Sequence, residues 1–77
     1  MKEFIEYIAK HLVDHPDQVD LEEKEPEDNK VVLALKVHPD DVGKVIGKQG
    51  RTAQAMRTLL TAIAAKEGQR AILEILD

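Results

Sequence analysis

Two glycines three residues apart, Gly47 and Gly50, interrupt a stretch that otherwise reads as helix from Pro39 to Lys66. Glycine costs a helix about 1 kcal/mol relative to alanine and enters left-handed backbone freely. The chain must therefore break here into a short helix, a tight bend and a longer helix. From Val42 to Lys66 there is no acidic residue, while Lys44, Lys48, Arg51, Arg57 and Lys66 are basic. A bare, basic bend of this kind raises the question of phosphate loops. The nucleotide-binding P-loop needs a glycine five residues after Gly43, where Lys48 stands. The dinucleotide fingerprint ending on Gly47 and Gly50 needs a glycine at Val45. Both patterns also follow a strand directly, and this bend follows a helix.

The surrounding elements are legible from periodicity. Met1, Phe4, Ile5, Ile8, Leu12 and Val13 recur every three or four residues, one apolar helical stripe ended by Pro16. Val19, Leu21 and Glu23 alternate with polar residues as a short strand, and residues 25–29 (Glu-Pro-Glu-Asp-Asn) have turn chemistry. Lys30 to Val37 reads as a second strand with Val31, Leu33, Leu35 and Val37 on one face, so the two strands predict a hairpin. His38-Pro39-Asp40-Asp41 is a helix start, with proline and acids suited to a first turn. The longer helix buries Ala53, Met56, Leu59, Leu60, Ile63 and Ala64 and stops at Gly68. Arg70 to Leu76 is a last strand. The order α-β-β-α-α-β predicts an α+β fold, a three-stranded mixed sheet with helices on one face.

Charge separates along the chain. Residues 1–29 carry ten acids against Lys2, Lys10 and Lys24, and residues 42–72 carry six bases against Glu67 alone, within an overall charge of −4. Local potential governs the approach of an anionic ligand more than net charge does. With 77 residues the chain is one domain, and with only Phe4 and Tyr7 as aromatics its core is aliphatic. The absence of cysteine excludes a disulfide, a thiol nucleophile and a zinc ribbon. There is no apolar run of membrane-spanning length and no signal-peptide pattern, so the expectation is a soluble cytoplasmic chain. His11 and His15 have metal-ligand spacing but no third ligand, and the carboxylates cluster without a pocket. No metal, cofactor or catalytic residue is expected, and the chain does not read as an enzyme.

At the bend, Ile46-Gly47-Lys48-Gln49-Gly50 between two helices resembles the GXXG signature of KH domains. The likeness covers the whole chain, since the element order is that of the type II KH fold. The run from Asp41 to Arg51 is most similar to the small stand-alone bacterial KH-domain RNA-binding proteins (KhpA-like), making 1–77 a single KH domain. The resemblance implies that about four nucleotides of single-stranded RNA are clamped between this loop and a sheet edge.

The physical reasons stand beside the resemblance. Gly47 and Gly50 let backbone approach a sugar-phosphate, Arg51 opens a helix whose free amides and dipole attract phosphate, and Lys48 and Gln49 occupy the tip. Lys44 lies one turn before Lys48. Val45, Ile46 and Ala53 are candidates for an apolar base-facing side, and the resemblance makes Lys30–Val37 the neighbouring edge strand. Plainer readings remain. Gly43 reads as a close-packing residue, one of Val45 and Ile46 as core, and Arg57 either as an extension of the phosphate track or as a solvated charge. The resemblance further implies a homodimer, or a heterodimer with a larger KH-containing Jag-type protein, acting as an RNA chaperone or regulator in cell elongation and division. The alternatives are a dimerisation module with incidental RNA binding and a ribosome-assembly factor.

Overall fold

The computed structural model describes residues 2–76, with 25–27 as backbone alone. Met1 of the apolar stripe and Asp77 lie outside the described residues. The elements are α1 (Lys2–Leu12), β1 (Asp20–Glu27), β2 (Lys30–Lys36), α2 (Val42–Ile46), α3 (Arg51–Lys66) and β3 (Arg70–Leu76), with single 3-10 turns at 16–18, 39–41 and 48–50. The order and the mixed sheet are those expected.

The sheet runs β1-β2-β3, with β1 antiparallel and β3 parallel to the central β2. Strand β2 alternates as its sequence demands: Val31, Leu33 and Leu35, and Val37 just beyond its end, are buried against the helices, while Lys30 and Lys36 are exposed. In β3, Leu73 joins the core, while Ile72 and Leu76 remain exposed on the other face. Helix α1 packs on β1 and α2, and α3 packs on β3 and α2. Fully burying a Leu, Ile or Met side chain contributes about 1.5–3 kcal/mol. Ile5, Leu33, Leu35, Met56 and Leu60 are therefore the chief stabilisers of a core without aromatics.

Three expectations need correction. First, residues 25–27 are not turn but the end of β1, and the turn is Asp28-Asn29 alone, both with positive φ (50° and 62°). A two-residue turn with both φ positive matches strand twist. The proline survives because β1 is an edge strand and its register slips between Lys24 and Glu27, where a ladder donor is dispensable. Second, the helical stripes are narrower than read. Phe4 and Leu12 are each 38% exposed and Leu59 45%, because each helix is covered on one side only. Third, Gly43 packs against nothing, since a Cβ there would find open space.

The end of α3 follows its sequence. Gly68 is left-handed (φ +69°), and the N–H groups of Gly68 and Gln69 donate to the carbonyls of Ala65 and Ala64. This 6→1 and 5→2 pair satisfies carbonyls that the helix end would otherwise leave open.

Candidate nucleic-acid interface

The bend between α2 and α3 is held by its own backbone. Gly47 N–H donates to the Gly43 carbonyl at 2.9 Å and Gly50 N–H to the Gly47 carbonyl at 3.0 Å. Three of its four residues have positive φ: Gly47 (80°), Gln49 (57°) and Gly50 (74°). The two glycines have different roles. A Cβ on Gly47 would lie 2.2 Å from Thr52 Oγ1 and 2.8 Å from Thr52 N, so α3 itself fills that space. A Cβ on Gly50 would meet nothing. Gly47 is bare so that the bend can close, and Gly50 leaves backbone open to the outside.

Gly50 is also the N-cap of α3, and no side chain caps that helix. The Arg51 N–H donates back to the Lys48 carbonyl, and the remaining first-turn amides of this 16-residue helix have no side-chain cap at the positive end of its dipole. Lys48, Gln49 and Arg51 are all exposed around them. Arg51 Nη2 donates to Gln49 Oε1 at 3.1 Å, which steadies the left-handed tip residue and leaves the Gln49 amide nitrogen without a partner among the described residues. Ile46, 37% exposed, sits immediately before the bend. Together these groups offer several donors and two cations with no carboxylate interleaved.

Other expected residues lie elsewhere. Val45 is fully buried in the core and Ala53 is 3% exposed, so neither offers a surface to a base. Their positions on α2 and α3 point at the sheet, and of the Val45-Ile46 pair only Ile46 reaches solvent. Lys44 forms an ion pair with Asp14, just beyond the end of α1. That partner's carboxylate raises the Lys44 pKa and keeps it charged. The strand expected at the edge, Lys30–Val37, is central, and both its sides are used in the sheet. The edge strand beside α3 is β3.

Sequence reasoning missed the anchor beneath α2. From sequence Asp40 and Asp41 read alike as first-turn acids; Asp40 is exposed and Asp41 is wholly buried. Its carboxylate accepts from Asp14 N–H (3.2 Å), His15 N–H (3.0 Å) and the His15 ring nitrogen Nδ1 (3.0 Å). Burial pushes the Asp41 pKa up, but these hydrogen bonds outweigh it and hold the group below the ordinary carboxylate value. The His15 ring stacks on His38 at 4.0 Å, and His38 Nδ1 accepts the Asp40 N–H at 3.0 Å. His15 therefore fastens the end of α1 to the start of α2, turned to Asp41 rather than to His11. No local signal reveals a bond between residues 26 positions apart.

Comparison with known proteins places the chain in a family. The family model described as "KhpA/KhpB, KH domain" matches residues 2–75. The chain belongs to this KH-domain family. Among its KhpA/KhpB relatives is a protein named RNA-binding protein KhpA from Clostridium acetobutylicum, 53% identical over 76 residues, covering 99% of this chain and 100% of the relative. Proteins of the same name from Aquifex aeolicus (53% identical) and Chlamydia muridarum (46% identical) match 100% of this chain and 96% and 97% of their own lengths. The match spans the loop, α2, α3 and the sheet that carries them.

Proposed function

We propose that this chain is a non-enzymatic KH module that binds single-stranded RNA at residues 46–51. The relatives' name supports the RNA, and one observation supports the place. Open backbone at Gly50 stands at the uncapped start of α3, ringed by Lys48, Gln49 and Arg51. In this reading the sugar-phosphate lies across Gly50, its oxygens taking hydrogen bonds from the α3 amides, the Gln49 amide and the two cations. About four nucleotides fit such a loop. Because Val45 and Ala53 are core, Ile46 supplies the apolar contact next to the clamp.

A single weak site gains from pairing. The helical faces leave Phe4, Tyr7 and Leu59 partly exposed, Tyr7 by 64%, which supports association with a second KH protein, another copy or a Jag-type partner. Two short sites joined in this way gain effective concentration without new contacts. A role as an RNA chaperone or regulator in cell elongation and division is the cellular reading that the family likeness favours.

The test replaces Lys48 and Gln49 together by Asp. Both are exposed, so the fold is expected to persist, and filter-binding affinity for single-stranded RNA is expected to fall at least about tenfold. Unchanged affinity in the folded variant would remove the clamp. For pairing, sedimentation of the chain alone and with a Jag-type KH protein is expected to show a complex in at least one case.

A further inference from the structure

One basic residue of α3 is held in a defined direction away from the loop. Arg57 Nε donates to the Leu73 carbonyl at 3.3 Å, taking up an acceptor of the edge strand β3. With Nε engaged, the guanidinium plane is fixed, and its two terminal nitrogens have no partner among the described residues. Arg57 lines a shallow, open cleft of about 330 Å³ on the surface of α3, together with Gln54, Thr58, Thr61, Ala62 and Ala65. The Thr58 and Thr61 hydroxyls donate to the carbonyls of Gln54 and Arg57 (3.0 and 2.8 Å). Those threonines therefore offer acceptors and methyls, and the cleft wall is mostly apolar. Its fork of donors belongs to Arg57.

We propose that Arg57 is a specificity-determining residue of the RNA site, selecting guanine at the nucleotide that leaves the loop along α3. The inference rests on the single-stranded RNA reading above. The cleft begins at Gln54, one helical turn beyond Gly50, where a strand anchored at the loop would next place a base. An apolar wall favours a flat ring over a phosphate, which gains nothing from methyl groups. Two parallel N–H donors match two adjacent acceptors, the O6 and N7 of guanine. Adenine sets an amino group beside its N7, so one donor would face a donor. The Leu73 carbonyl is occupied by Arg57, so at this point the side chain rather than the strand backbone reads the base.

The test compares short oligouridylates carrying one guanosine, one adenosine or one 7-deazaguanosine, bound to the wild-type chain and to Arg57→Lys and Arg57→Ala. Wild type is expected to favour guanosine over adenosine by about fivefold or more, and 7-deazaguanosine is expected to lose most of that advantage. Arg57→Lys, which keeps the charge and loses the fork, is expected to bring the oligonucleotides within about twofold of one another. Far-ultraviolet circular dichroism and the melting temperature report that the variants are folded. An equal loss for every oligonucleotide in the variants would assign Arg57 to phosphate and overturn the inference. So would a wild type that binds in a Lys48-dependent manner without discriminating the bases. No RNA binding at all would instead sink the underlying RNA reading.

Discussion

At residue scale the two loop glycines are not interchangeable. Gly47→Ala must push a methyl into Thr52 and hold alanine at φ 80°, ψ 169°, a conformation open essentially to glycine alone. The expected cost is about 3 kcal/mol, read by chemical denaturation. Gly50→Ala places its methyl in open space at φ 74° and is expected to cost about 1 kcal/mol. If RNA backbone crosses Gly50, that mild variant loses more RNA affinity than its stability change accounts for, in a binding assay well below its melting temperature. The sequence shows two glycines with one apparent purpose. The difference lies in Thr52, whose packing against Gly47 depends on how sharply α3 leaves the bend.

At element scale, Asp41 joins α1 to α2 and makes the position of the loop depend on the N-terminal helix. Its carboxyl pKa is lower in the folded chain than in the unfolded one, so its ionised form stabilises the fold at neutral pH. That contribution is present above the ordinary carboxylate pKa and is lost as pH falls toward the depressed value. Asp41→Asn is expected to lower the melting temperature at pH 7 and to flatten its decline on acidification, measured by thermal melts across the acid range. In the core, Leu60→Ala is expected to cost about 2–5 kcal/mol, since Leu60 is 1% exposed between α3 and the sheet. Strand β2 and the stop at Gly68 are legible from sequence because each follows a local rule, alternation in the first case and a left-handed glycine in the second. The anchoring of Asp41 and Lys44 by Asp14 and His15 is not, because each contact joins segments 26–30 residues apart. The β1 terminus escapes for another reason. Proline argues against a strand unless that strand is known to lie at an edge, and strand order is a property of the whole sheet.

At the scale of the whole molecule, an acidic first third and an acid-free α2–loop–α3 segment make the chain strongly dipolar despite its net charge of −4. If the bend is the RNA site, an anionic strand is expected to be steered to the basic segment and repelled from β1, whose Asp20, Glu22 and Glu23 are exposed. If Lys48, Arg51 and the α3 amides together neutralise about three phosphates, log affinity is expected to fall with log salt at a slope near −2. A flat salt response would mean that association is driven by apolar contact instead. The acidic strand would then carry no role in steering.

The most direct measurement follows the backbone amides of the isotopically labelled protein by nuclear magnetic resonance while a short single-stranded RNA is added. The largest shifts are expected from Ile46 through Ala53, with residues 20–24 of β1 left unchanged. Shifts gathered on β1 or on the open face of the sheet, with Gly47 and Gly50 still, would contradict the assignment of the bend as the place where RNA is held.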